Sequence, residues 1–129
     1  MTIDPQSHIP VYLQIVDGLR HAIVRGVYRA GDVLPSVREL SLKLKVNPNT
    51  VLRAYEALES DKVIEKRRGS GMYVAMGGLK AAREQSAEAV LESLDEVAVQ
   101  ARAADMKPQG VMKHFAQAMF KVFSKEPKS

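Results

Sequence analysis

No cysteine occurs among the 129 residues, which excludes disulfide scaffolds, thiol chemistry and cysteine-based zinc sites. Apolar runs are only a few residues long, so no segment can cross a bilayer as a helix. The opening MTIDPQSHIP has neither the basic start nor the apolar stretch of a signal peptide. A cytoplasmic protein without membrane contact is the expectation. Catalytic signatures are missing as well. His8, His21 and His114 are far apart with no metal-ligand spacing, and there is no phosphate-cradling loop or nucleophile elbow. No enzyme activity, metal or cofactor is expected. Repeats and low-complexity tracts are absent. Charge of one sign is scarce too: 19 Lys and Arg oppose 15 Asp and Glu, a formal +4. As a total, that figure says little about partners.

What is present is globular, with 46% hydrophobic and 26% charged residues, enough for one compact domain and an appendage. The charge excess sits at the front: residues 1–78 carry 11 Lys and Arg against 8 Asp and Glu. It bunches in Lys66-Arg67-Arg68. Gly77-Gly78 reads as a linker, because glycines end regular structure and ease changes of direction. The expected division is 1–76 for one domain and 77–129 for a second segment.

Within the first part, Pro10 suits the opening of a helix, and Tyr12, Ile15, Val16, Leu19 and Ile23 keep one helical stripe until Gly26. Ser36 and Glu39 form a capping box for a short second helix with Val37, Leu40 and Leu44 on its buried face. Val46-Asn47-Pro48-Asn49-Thr50 ends that helix, with Asn49 marking the start of the next. Val51, Ala54, Tyr55 and Leu58 then recur at the spacing of a buried stripe, leaving Asn49, Thr50, Arg53 and Ala57 on the other face. Two helices joined by so short a turn make a helix-turn-helix. Two β-prone runs, Lys62–Lys66 and Met72–Val74, flank Arg67-Arg68-Gly69-Ser70-Gly71 and predict a hairpin with a basic tip. The class is therefore mainly α: a winged helix-turn-helix of three helices plus a β-hairpin wing, then a short two-helix C-terminal segment.

In that segment Ala87, Val90, Leu91, Leu94, Val97, Ala98 and Ala101 keep helical spacing. Lys107-Pro108 interrupts. A last helix carries Val111, Met112, Phe115, Met119, Phe120, Val122 and Phe123 on more than one face. Two such helices cannot bury a core alone. The economical cover is the same pair from a second chain, with Val90, Leu91, Leu94, Val97, Ala98, Met112, Phe115, Met119 and Phe123 as the dimerisation residues.

The chemistry of the front part suits duplex DNA. A helix fits the major groove, where Asn pairs with adenine and Arg with guanine through two hydrogen bonds each. Lys and Arg beside phosphates release counterions, and a glycine-containing wing brings backbone close to the minor groove. Each residue has a structural alternative. Arg53 is otherwise a solvated helix residue, Arg38 a partner for Glu39, Asn47 and Asn49 turn and cap formers, Ser36 a cap, and Arg67-Arg68 a solvated turn. Tyr12, Tyr55 and Tyr73 read as core or edge packing. A winged helix serving protein–protein assembly is the rival reading, and the basic wing with the Thr50/Arg53 face argues against it.

Leu34-Pro35-Ser36-Val37-Arg38-Glu39-Leu40, the run from Val46 to Glu59, the wing from Ile64 to Val74 and the opening Pro10–Ile15 together resemble the GntR family of bacterial transcription regulators, in its YtrA subfamily. These motifs span roughly residues 9–75 in the right order. The resemblance implies a repressor that binds a palindromic operator on double-stranded DNA as a homodimer. It carries DNA contacts onto Arg38, onto Asn47, Pro48, Asn49 and Thr50 at the head of the recognition helix, and onto Arg68 and Gly69 in the wing, with Arg67 beside them. Many members have an arginine where this chain has Pro48, so readout passes to Asn49 or Arg53. Ser36 is added as a capping residue at the DNA face. With about 50 residues beyond the wing there is little room to sense a ligand, and no pocket of the usual ~300 Å³ or more can be assumed within one chain. A small-molecule effector, if one is bound, has room between the paired helices.

Overall fold

The computed structural model describes residues 1–67, 69 and 71–125. Five helices and a two-stranded antiparallel sheet follow in the order α1 (Val11–Val24), α2 (Val37–Leu44), α3 (Pro48–Ser60), β1 (Ile64–Arg67), β2 (Gly71–Val74), α4 (Gly78–Ala103) and α5 (Pro108–Phe123). The described residues group into two units, Met1–Glu88 and Ala89–Ser129, so the division falls inside α4.

In the first unit the stripe of α1 buries Ile15, Val16, Leu19 and Ile23, and α3 buries Val51, Ala54, Tyr55 and Leu58. Both helices pack against each other, and α2 packs on α3. Leu34, Leu40, Val63, Ile64, Val74 and Ala82 close the same core. The first helix stops where Gly26 takes φ 81°, a left-handed backbone that glycine accepts without a Cβ clash. Arg20, on α1, is not a solvated residue: its guanidinium pairs with Asp17 at 2.7 Å, and its side chain is only 11% exposed.

The capping box of α2 is complete. The Glu39 amide donates to Ser36 Oγ at 3.0 Å, and the Ser36 amide donates to Glu39 Oε1 at 3.2 Å. The turn into α3 is short, with Lys45 in the left-handed region at φ 57°. Pro48 stands inside α3 as its first residue, because proline lacks only an N–H that has no helical partner there. The cap is Asn47 rather than Asn49: Asn47 Oδ1 accepts from the Asn49 amide at 2.8 Å.

In the hairpin Ile64 pairs with Val74, Glu65 with Tyr73, Lys66 with Met72 and Arg67 with Gly71. The segment between α1 and α2 lies along the far side of β2. Gly31 donates to the Val74 carbonyl, Val74 to the Asp32 carbonyl and Leu34 to the Met72 carbonyl, each at 2.9 Å.

Gly77-Gly78 is not a loose linker. Gly78 is buried as the first residue of α4, and a Cβ there would overlap the Val63 carbonyl oxygen and press on Val74 Cγ1. The glycine is needed for close approach, which a sequence cannot distinguish from flexibility.

The Tyr55 hydroxyl donates to the carbonyl of Pro35, the residue before the Ser36 cap, and so ties α3 to the head of α2. Burial pushes this phenol well above its ordinary value of 10.0, with Tyr28 and Glu39 adding to the effect. Folded Tyr55 therefore stays neutral at a pH where the unfolded chain releases the proton. The stability this contributes is full below pH 10.0 and declines as pH rises above it. Tyr55→Phe is expected to cost about 1 kcal/mol at neutral pH and to flatten the alkaline decline. Urea titrations at neutral and alkaline pH check both, and equal stability of the two chains at neutral pH would contradict the bond's role.

In the second unit α5 buries no residue, and Leu91, Leu94, Phe115 and Met119 are exposed; Phe120 is 76% and Phe123 75% exposed. Among the described residues no helix is long and apolar enough to cross a membrane.

Candidate nucleic-acid interface

The head of α3 is open. Asn47, Pro48, Asn49 and Arg53 are exposed and Thr50 is half-buried. Because Asn47 is the cap, Asn49, Thr50 and Arg53 occupy the first two turns, on the side away from Val51, Ala54, Tyr55 and Leu58. Asn47, Asn49, Thr50 and Arg53 line one groove of about 400 Å³ with Pro10, Val11 and Tyr12 of the α1 head. These four side chains are brought together. Exposed amide side chains and a guanidinium that no carboxylate among the described residues engages are what base edges in a major groove require.

The other expected contacts lie apart from this groove. Ser36 lines a second hollow of about 430 Å³ with Leu52 and Glu56 of α3 and with Lys66 and Gly71 of the hairpin. Its Oγ is already an acceptor in the capping box, which leaves the hydroxyl proton free to donate outward. Arg38 is exposed at the head of α2, and Glu39 is occupied by the box, so the alternative pairing between them is not made. Among the described residues Arg38 and Arg53 have no ion pair.

Arg67 does have one. Its Nε lies 3.7 Å from Glu65 Oε1, and its guanidinium stacks on the Tyr73 ring with 4.3 Å to the centroid. Glu65, Arg67 and Tyr73 share one face of the hairpin by register. Both side chains of the ion pair are more than two-fifths exposed, so solvent keeps the attraction weak. Gly69 takes φ 74° and Gly71 φ 88°, which places the wing glycines in turn geometry that residues with a Cβ resist. Arg68 lies outside the described residues.

Two aromatic supports escaped the sequence pattern. Tyr12 and Tyr73 read as packing residues, yet each carries an arginine: Arg53 stands 3.8 Å from the Tyr12 centroid. The signal for Tyr12 was its place at the edge of the α1 stripe, two residues after Pro10. Lys45, exposed in the turn before α3, is a further cation close to the reading face in sequence.

The residues expected to pair two chains, Val90, Leu91, Leu94, Val97, Ala98, Met112, Phe115, Met119 and Phe123, are all exposed in a single chain. In contrast to the expected lack of room, a hollow of about 530 Å³ lies at the turn between α4 and α5, lined by Ala98, Ala101, Arg102, Asp105, Met106, Pro108, Val111 and Met112.

Comparison with known proteins agrees with this geometry. The family described as bacterial regulatory proteins, gntR family, matches residues 11–74. The HTH-type transcriptional repressor YtrA of Bacillus subtilis is 36% identical over 105 residues, covering 81% of each chain. A GntR family transcriptional regulator from Listeria monocytogenes has a similar structure, with a TM-score of 0.70, 32% identity, and 89% of this chain and 98% of that one covered. The DNA-binding domain of AraR in complex with operator ORX1 is similar at a TM-score of 0.53 and 25% identity, over 58% of this chain and 93% of that one. The recognition helix and wing described above fall within the matched segment. The chain belongs to the GntR family of bacterial regulatory proteins, a DNA-binding transcription regulator of the YtrA kind and not an enzyme.

Proposed function

We propose that the protein is a cytoplasmic homodimeric repressor that reads a palindromic operator. The observation that carries this is the open groove at the head of α3, where Asn47, Asn49, Thr50 and Arg53 converge with no carboxylate among the described residues engaging Arg53. Residues 1–76 would read DNA and residues 77–129 would pair the chains. Each copy would set α3 in a major groove, with half-sites about one or two helical turns apart. Asn49 and Arg53 read bases. Arg38, Ser36 and Thr50 hold the backbone, and Arg67, Arg68 and Gly69 bring the wing to the neighbouring minor groove. The name of YtrA supports repression, and the AraR complex supports an operator as the target. An effector small enough for the hollow between α4 and α5 would act where the pairing helices turn.

The test uses a duplex selected by the unsubstituted chain from a randomised pool, beside a scrambled duplex of equal composition. Arg53→Ala is expected to cost about 1–3 kcal/mol on the selected duplex and to relax choice at one base pair. Arg67→Ala is expected to weaken both duplexes alike and to reduce the salt slope by about one. Identical behaviour of the two variants would refute this division of labour.

A further inference from the structure

We infer that Tyr12 is a positioning residue for sequence readout, its ring holding the Arg53 guanidinium in place before DNA arrives. The inference rests on the proposed role of Arg53 as a base reader and adds the element that orients it.

The geometry begins with what Arg53 lacks. It is an exposed residue in the second turn of α3, and no carboxylate is within ion-pair distance among the described residues. Glu56, three positions on, is close enough in sequence to compete but does not engage it. A long side chain in that situation samples many rotamers, and ordering it on DNA carries an entropic cost. Instead its guanidinium carbon sits 3.8 Å from the centroid of Tyr12, well inside the reach of a cation–π contact.

The ring comes from a different element, and that element is fixed. Tyr12 is half-buried in the first turn of α1, directly ahead of Ile15 and Val16 in the core, and α1 packs along α3. Stacking occupies the flat face of the guanidinium. Its donors lie in the plane and along the edge, so the fork that addresses the two acceptors of guanine stays available. A carboxylate would have bound that same edge. Arg67 makes the contrast within this chain: it has Tyr73 beneath it, but Glu65 also draws its Nε. The arginine proposed to read bases is held by a ring alone.

Two substitutions separate this role from bulk packing. Tyr12→Phe keeps the ring, while Tyr12→Leu keeps the apolar volume and removes the π face. With the selected and scrambled duplexes, Tyr12→Leu is expected to lower the preference for the selected duplex by about 2–5-fold, the range set by an exposed cation–π contact. Tyr12→Phe is expected to match the unsubstituted chain, and Tyr12→Leu is expected to add no loss when Arg53 is already Ala. In the free protein, the Arg53 Nε–Hε resonance is expected to carry a ring-current shift that survives Tyr12→Phe and vanishes in Tyr12→Leu. The remaining spectrum reports that the fold is intact. If Tyr12→Leu keeps the full preference while Arg53→Ala loses it, the positioning role is refuted and the reading role stands. If Arg53→Ala itself keeps the preference, the reading role fails and takes this inference with it. An equal loss from Tyr12→Leu in the Arg53→Ala background would also overturn it, since Tyr12 would then act without Arg53.

Discussion

A chain carrying Leu94→Glu together with Phe115→Glu is expected to run as a monomer by light scattering at micromolar concentration. It is expected to hold the selected duplex about 10²–10⁴-fold more weakly than the unsubstituted chain. The second unit is the reason. Leu94 and Phe115 are 39% and 48% exposed in one chain, among neighbours on α4 and α5 that are exposed as well. Apolar surface in water costs about 25 cal/mol for each Å², so helices of this composition are stable when something covers them. A second copy offers an identical apolar surface, and pairing by symmetry is the commonest way for one chain to cover itself. Two carboxylates placed in that contact would have to be buried without partners, a heavy penalty. Because neither residue belongs to the core of the first unit, the variant should unfold that unit at its usual temperature. It should also bind a single half-site as the unsubstituted monomer would. A dimer that persists in this variant, or an operator affinity that survives monomerisation, would remove the second unit from the proposed mechanism.

Two neighbouring glycines should answer to alanine with opposite signs. Gly77→Ala puts a methyl group into open space, since nothing lies within 4 Å of the added carbon. By restricting the unfolded chain it is expected to be neutral or to stabilise by up to about 1 kcal/mol. Gly78→Ala drives the same methyl group into the Val63 carbonyl oxygen, with Val74 Cγ1 only 3.0 Å away. That carbonyl already accepts from the Ala75 amide at 3.1 Å and holds the end of β2 to the start of β1. It cannot swing aside without giving up that bond. A loss of about 1–3 kcal/mol is expected, although helix propensity alone favours alanine over glycine by about 1 kcal/mol. Chemical denaturation of the two variants decides the matter, and a stabilised Gly78→Ala would show that α4 does not press on the wing as described.

These cases show where local pattern carries information and where it stops. The Ser36/Glu39 box, the stripe of α3 and the hairpin were legible because each depends on residues a few positions apart. Pro48 was legible as a boundary. Whether it closes α2 or opens α3 turns on which backbone amide Asn47 caps, and the true helix start lies two residues from the one marked by Asn49. Gly78 shows a stronger limit, since close approach to Val63 is a property of the packed chain. Tyr12 is similar: apolar periodicity places an aromatic ring at the edge of a stripe, but cannot say that an arginine from another helix lies over it. The α4–α5 hollow escaped because counting residues beyond the wing says how much chain is available, not how sharply two helices turn at Asp105 and Met106. All described members of the proposed reading face are reachable by solvent.

The strip of chain from Gly31 to Leu34, hydrogen-bonded along β2, also bears on how crowded copies behave. It occupies backbone groups on that side of the hairpin, so among the described residues the outer flank of β1 is the edge the sheet has left to offer. That flank is four residues long and ends in Lys66 and Arg67, and short charged edges are poor templates for another strand. Molecules concentrated on neighbouring DNA sites would therefore have little tendency to join through their sheets. They could stand side by side on a duplex without stitching into fibres, leaving self-recognition to helices at the other end of the sequence.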